Sequence, residues 1–556
     1  MSAGDASAMS AAQVERAIVQ AVARATQLRV NATIAVVDRE GNILGAARMT
    51  DPSLVADPGI STISAGGAGG LEGVTVASSL TACSKAGTAA FLSSSGNAFS
   101  TRTAGFIIQQ NFPPGVTSRA SGPLYGVQFS SLPTSDVMRL PLGLAADPGG
   151  VPLYDGATLL GGVGVELDGL YTAPASRLKK ERQTAEESIA LAGQVGFMPP
   201  KAILATNILV DGLRLALREG VPPKAAALGV VPTLAGLQGS GLVQVLITPA
   251  SSPPSVFTPV TIGGVNGETK AAFAAGAVVG GQQLTVADVT QILAQGHEIN
   301  ARMRAQIRRD RPQTSQVTVA VVDTTGALLG AVRTLDAPVF GYDVSVQKAR
   351  SAMFLSLPNA GALLGAAEGG AFAAYVIEAS GFGLALDGSV AMSERSIGFL
   401  SRPFFPDGIP GNPPGPFGPL SPDVFSPFST GLQADLLITP LVNFLTAFGG
   451  AGAESIALQQ FATGVIGGGG ATDASLPLQN GLQIFPGAVP LYKNGVLVGG
   501  VGVSGDGIEE DDLVAFTAAT GFDTPPGGVK RADEFIATGG VRLPWVKFPR
   551  NPFRGR

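Results

Sequence analysis

Val151-Pro-Leu-Tyr154, followed by Leu159-Leu-Gly-Gly-Val-Gly-Val165, returns as Val489-Pro-Leu-Tyr492, followed by Leu497-Val-Gly-Gly-Val-Gly-Val503. The spacing inside the two stretches is the same, so the segment reads as one unit written twice. Working outward, Ala35-Val-Val-Asp38 with Gly41, Leu44-Gly-Ala46 and Arg48 reappears as Ala320-Val-Val-Asp323 with Gly326, Leu329-Gly-Ala331 and Arg333. Lys85-Ala86, Ala89 and Phe91-Leu-Ser93 become Lys348-Ala349, Ala352 and Phe354-Leu-Ser356. Arg102, Gly105-Phe106, Phe112-Pro113 and Gly115 become Arg395, Gly398-Phe399, Phe405-Pro406 and Gly408. Four blocks in one order exceed coincidence. Function must be asked of a two-copy protein, and a residue present in one copy alone is the weaker candidate.

Each copy opens on a helix. Ser10-x-x-Gln13 has the form of a capping box, and Val14, Ala17, Ile18, Ala21, Val22 and Ala25 follow at helical spacing. Thr285-x-x-Asp288 repeats the device before Val289, Ile292 and Leu293, in a helix that should end in the basic run Arg302, Arg304, Arg308, Arg309, Arg311 before Pro312. Strands from Thr33 to Asp38 and from Ile43 to Arg48 make a hairpin in which Gly41 can take a positive φ. Helices about Val76 to Ser93 and Val344 to Ser356 carry Lys85 and Lys348. A second hairpin spans Val151 to Val165, and Glu186-Glu187 and Asp511-Asp512 open closing helices that run to Gly196-Phe197 and Gly521-Phe522.

The copies differ by insertions. Copy one has extra residues over 53–76, including Ala65-Gly-Gly-Ala-Gly-Gly70, read as flexible. Copy two is longer by 45 residues between Gly408 and Val489 than copy one is between Gly115 and Val151. Both inserts are expected outside the shared cores, with some of their residues contacting another chain or the other copy, and deleting 410–485 is expected to leave a folded protein with altered assembly. The domains are therefore 9–223, a connector at 224–282, and 283–545 with its Pro/Gly-rich insert at about 410–485.

Composition narrows the function. The 556 residues carry a formal net charge of −5, are 45% hydrophobic and 14% charged, and include 76 glycines and 40 prolines. A nucleic-acid surface would need clustered Lys and Arg. Cys83 is the only cysteine and His297 the only histidine, which leaves no thiolate cage and no zinc cluster. No apolar run approaches a membrane span, and the N-terminus lacks the pattern of a signal peptide, so the expectation is a cytoplasmic or a processed extracytoplasmic protein. The glycine runs are not dinucleotide or phosphate-binding fingerprints: Gly161-Gly-Val-Gly164 falls inside a strand.

The order of helix, Ala-Val-Val-Asp hairpin, Lys-Ala helix, Val-Pro hairpin, Gly-Val-Gly-Val strand and closing helix resembles the GlcG/HbpS haem-binding-like family. The resemblance covers roughly 9–200 and 283–524. It implies an α/β fold (an α+β sandwich) in two duplicated domains, each a central antiparallel sheet flanked by helices. It also implies assembly into oligomers and haem as a candidate cofactor. Asp147-Pro-Gly-Gly150 matches the family's Gly-rich pocket entrance, whereas copy two has Phe485-Pro-Gly-Ala488.

The candidate site residues are the duplicated cations Lys85, Arg102, Lys348 and Arg395, with Gly149 and Gly150. The cations could hold a carboxylate such as a haem propionate, or each could neutralise the strand-end Asp38 or Asp323; the second reading is the simpler. His297 reads as structural, Cys83 as a small buried hydrophobe, and the carboxylate pairs as helix-start charges. No catalytic and no metal-ligating set is assigned. The function read from this is non-enzymatic binding of haem or another small ligand, with iron held by a hydroxyl, Lys or Met. The alternative is a structural subunit of a larger protein assembly; an enzyme acting on a small organic acid rests on family association alone.

Overall fold

Asp38 ends its strand and closes its own turn. Its carboxylate accepts from the backbone N–H of Glu40 and Asn42 at 2.9 and 3.0 Å and from Asn42 Nδ2 at 2.9 Å. Asp323 accepts from the N–H of Thr325 and Ala327 at 2.9 and 3.1 Å. Gly41 and Gly326 supply the positive φ, 87° and 77°, that both turns need. The computed structural model describes residues 8–112, 118, 121–173, 184–210, 213–215, 222–308, 313–420, 425–446, 448 and 454–554. Pro113, Gly115, Arg309, Arg311 and Pro312 lie outside the described residues.

These hairpins seed two antiparallel sheets flanked by helices. The first runs, edge to edge, through Val243–Ile247, Ile43–Met49, Thr33–Asp38, Thr158–Glu166 and Gly150–Asp155. The second runs through Thr258–Ile262, Val265–Thr269, Leu328–Thr334, Val317–Asp323, Val496–Gly505 and Ala488–Lys493. The inner registers coincide. Ala35 faces Ala46 on one side and Gly164 on the other, as Ala320 faces Ala331 and Gly502. A register shift falls at the same place, after Val36 and after Val321.

Alternation along a strand sends neighbours to opposite faces. Ile34 and Val36 join the core under the Ala11–Leu28 and Ala185–Gly193 helices, while Ala35 and Val37 join the core beneath the Ser78–Leu92 helix. The glycine motif explains how close that last helix comes. A Cβ at Gly164 would lie 2.1 Å from Ala82 O, and one at Gly502 would lie 2.0 Å from Ser345 O. Only glycine lets the helix rest on the strand backbone. The Ser78–Leu92 and Phe340–Phe354 helices are buried along their whole length.

Residues 224–282 give an edge strand to the first sheet and an edge hairpin to the second. The long insert is not peripheral. Leu432, Leu436, Leu458, Leu478 and Leu482 are fully buried in a core continuous with both halves. Gln433 Nε2 donates to Gly126 O at 3.1 Å and to Leu482 O at 2.9 Å, and Arg48 pairs with Glu454 at 2.7 Å. The expectation that 410–485 lies outside the cores is therefore corrected, while the expected contact of this insert with the other copy is present. The reading of residues 65–70 as merely flexible is corrected too. A Cβ at Gly70 would lie 2.2 Å from Phe428 O, and one at Gly67 would lie 2.6 Å from Ser426 Cβ, so these glycines serve close contact with the insert.

The opening helix of the second half ends at Arg302. Arg308 lies beyond it, buried against Asp506 and Asp336 rather than complementing the helix end. No helix among the described residues is long and apolar enough to cross a membrane.

Candidate functional site

Lys85 reaches out of the buried Ser78–Leu92 helix into a cage of carboxylates. Its Nζ lies 2.6 Å from Asp147 Oδ2, 2.8 Å from Glu166 Oε2 and 3.1 Å from Glu186 Oε1, and it donates to Val165 O at 3.0 Å. The ligand oxygens of the three acids lie within 4.8 Å of one another, a spacing suited to a cation, and the ammonium takes that role. One lysine facing three acids leaves negative charge in excess. Burial pushes Asp147 up to about 8 against the pull of Lys85, and burial raises Glu186 strongly as well. Gly149 and Gly150 belong to the same cluster: a Cβ at Gly149 would lie 2.7 Å from Val165 O, and one at Gly150 would lie 2.2 Å from Lys85 O.

Arg102 sits beside the cage on the Thr101–Ile107 helix, which Ser100 caps. Its Nε and Nη2 each donate to Glu187 at 2.5 Å, to Oε1 and Oε2 respectively. Thr184 caps the closing helix and its N–H donates to Glu187 Oε2 at 3.0 Å. The acid pair at this helix start thus caps the helix and also neutralises both cations. Pairing of the cations with Asp38 and Asp323 is not what the structure contains, because those carboxylates are spent on their own turns.

The second half repeats the arrangement with four changes, one of them Asp511 in place of Glu186. Lys348 Nζ lies 3.0 Å from Asp511 Oδ2 and donates to Val503 O at 2.8 Å. Where the first half has Asp147 there is Phe485, whose ring lies 4.5 Å from the ammonium, and where it has Glu166 there is Ser504. Arg395 faces Asp512 in place of a glutamate. One methylene shorter, Asp512 takes Nε at 2.5 Å, and Arg395 Nη2 is buried without a hydrogen-bond partner.

A cavity of about 680 Å3 opens beside Arg395, between the halves. Its walls include Leu92, Ile107, Leu215 and Phe340, together with Tyr125 from the first half and Trp545 from the C-terminal segment. Ser393 caps the Glu394–Leu400 helix and donates to Trp545 O at 2.5 Å, which ties that segment to the Arg395 helix. Tyr125 Oη and Trp545 Nε1 are, like Arg395 Nη2, buried with no partner among the described residues. All three residues line the cavity, although these three atoms have almost no accessible surface of their own. Asp506, Glu509 and Glu510 also line it, but Asp506 is held by Arg308 at 2.6 Å and Glu509 by Lys547. Burial pushes Glu510 up to about 8.

Arg395 and Arg402 put two guanidiniums on this wall, groups of the kind that would hold haem carboxylates. Among the described residues no His, Cys or Met lines the cavity, and the Tyr125 phenol would be the residue to hold a haem iron. His297 is fully buried elsewhere, 3.1 Å from Val332 O, with its imidazole pushed down to about 4 by burial. Cys83 is buried too. Sequence reading named Arg395 but missed Tyr125, Arg402 and Trp545. The signal for Trp545 was its being the only tryptophan in the chain.

Residues 447–520 match the family described as haem degrading protein HbpS-like. No curated protein matches the chain. Two solved structures are similar over 34% of this chain. One is the Klebsiella pneumoniae protein ORFY, at 19% identity over 89% of its length and a TM-score of 0.21. The other is a complex of PduOC with heme, at 20% identity over 94% of its length and a TM-score of 0.21.

Proposed function

We propose that this chain is a non-enzymatic binder of haem or another small ligand, built from two fused HbpS-like domains at 9–223 and 283–545 joined by 224–282. The observation that carries the reading is the cavity of about 680 Å3 lined by Tyr125, Arg395 and Trp545, each of which has a buried polar atom without a protein partner. Its size falls within the range of small-molecule sites. The family match at 447–520 supports haem as the first ligand to test, since that stretch carries Phe485, Asp511 and Asp512 beside the cavity's arginine. In this reading Arg395 faces the ligand. Lys85, Arg102, Gly149, Gly150 and Lys348 hold sheet, helix and turn together behind it.

Titrating the purified protein with haem tests the reading. One equivalent per chain should shift the Soret band and quench Trp545 emission, and Tyr125→Phe should change the Soret position while the protein stays folded. A second reading, a structural subunit with no ligand of its own, is favoured by the internally saturated Lys85 cage and by the insert wedged between the halves. A protein that takes up no haem, leaves Trp545 emission unchanged and migrates as a defined oligomer would support that reading.

A further inference from the structure

Arg402 is a half-buried cation on the cavity wall. It follows the Glu394–Leu400 helix that carries Arg395, stacks on Phe399 at 4.7 Å from the ring centroid, and donates through Nη1 to Pro406 O at 2.6 Å. No carboxylate among the described residues lies within ion-pair distance of it. Burial lowers its pKa, and the positive charge of Arg395 lowers it further against a smaller pull from Asp407, so two guanidiniums repel one another at one end of the cavity. Arg395 Nη2 and Trp545 Nε1 add donors without acceptors. Asp512 Oδ1 and both Glu394 oxygens are also buried without a partner here, but those two residues lie outside the cavity lining.

The opposite wall is apolar, with Leu92, Ile107, Leu215 and Phe340. A planar guanidinium fork matches a carboxylate geometrically. Asp506, Glu509 and Glu510 line the same cavity, which disfavours a dianionic phosphate and suits a single negative charge. We propose that the cavity recognises an apolar carboxylate, its head taken by Arg395, Arg402 and the Trp545 N–H and its body laid against Leu92, Ile107 and Phe340. This rests on the cavity being a ligand site and specifies the chemistry that it selects, independent of any iron.

Trp545 is the chain's only tryptophan, so its emission reports on this cavity alone. Pyrenebutyrate and pyrenebutanol share an apolar body and differ at the head. The acid should quench Trp545 saturably at one equivalent per chain, and the alcohol should bind at least about tenfold more weakly, as expected when charged hydrogen bonds are lost. Arg402→Gln should bring acid binding down to the level of the alcohol without changing alcohol binding. Asp512→Glu, which would occupy Arg395 Nη2, gives a second route to the same loss should Arg402→Gln fail to fold. Equal affinity for acid and alcohol would overturn carboxylate recognition while leaving the cavity a ligand site. An emission unmoved by both probes, in protein with a cooperative melt, would overturn the ligand site as well.

Discussion

The sites around Lys85 and Lys348 start from the same scaffold and end in different states. In both, a lysine from a wholly buried helix meets one acid near the start of the closing helix, and an arginine meets the next. At Lys85 two further acids complete a cage and Glu187 takes its arginine with both oxygens. At Lys348 those acids are replaced by Phe485 and Ser504, and the shorter Asp512 leaves one arginine nitrogen free beside a cavity. Four side-chain differences, Asp511 for Glu186 among them, separate a sealed ionic cluster from an open site. Backbone architecture fixes where the cations stand, and the lengths of their partners decide whether anything is left for a ligand.

The largest effect that would break this comparison is a difference in stability on removing each lysine. Lys85→Met strands three buried acids and should cost about 3–5 kcal/mol, the usual result of orphaning buried charge. The loss should be greater at pH 8 than at pH 5, where the carboxyls can take up protons. Lys348→Met orphans one directly paired acid and keeps an aromatic neighbour, so its loss should be clearly smaller. Urea midpoints of the two variants check the order, and equal losses would show that the cage is no more demanding than its counterpart.

The scaffold itself should respond equally on both sides. Gly164→Ala and Gly502→Ala each place a methyl about 2 Å from a helix carbonyl, at Ala82 and Ser345. Each should cost roughly 1–3 kcal/mol as the helix is pushed off the strand. Thermal melts that differ widely between the two would mean that the matched registers hide different packing.

Much of this scaffold is legible in the chain. Period-two alternation, the capping boxes at Ser10 and Thr285 and the turn glycines at Gly41 and Gly326 act locally, so their structural meaning survives without knowledge of the fold. The lysine and arginine positions are legible as well, because each occurs in both matched stretches. Their partners are not. Glu186 and Glu187 look like helix-start charges and are, yet they also reach across to Lys85 and Arg102, a contact set by tertiary packing. The cavity is harder still. Tyr125, Arg402 and Trp545 have no matched twin (Gln109 stands where Arg402 would be), so a search for paired residues passes over them. The insert misleads for a similar reason: its prolines and glycines suggest a surface loop, but Leu432, Leu436, Leu458, Leu478 and Leu482 are fully buried in it.

Exchanging the second acid of each pair sharpens the comparison at moderate cost. Asp512→Glu should give Arg395 a two-pronged partner and weaken binding of pyrenebutyrate by about tenfold, the worth of one charged hydrogen bond. Glu187→Asp should free a nitrogen on the Arg102 side and leave that affinity unchanged, since the cavity is lined by Arg395. Titration of Trp545 emission distinguishes them, and an equal loss in both would unlink the free nitrogen from binding.

The smallest effect concerns Glu510, which lines the cavity where the first half has Ala185. Burial pushes its carboxyl from 4.5 up to about 8, partly offset by the N–H of Gln306 at 3.1 Å and reinforced by Asp511 and Asp506. Asp506 is itself held by Arg308, and Asp511 by Lys348, so neither cation is left to neutralise Glu510. The folded state therefore keeps a proton that the unfolded chain releases above its ordinary pKa. Stability should fall as pH rises from about 4.5 to about 8 and stay low beyond. Glu510→Gln cannot ionise, so it should match the parent near the bottom of that window and exceed it above the top by about 1–3 kcal/mol. Urea midpoints at the two ends of the window measure this. A parent whose advantage or deficit relative to Glu510→Gln does not change with pH would place the carboxyl in contact with solvent.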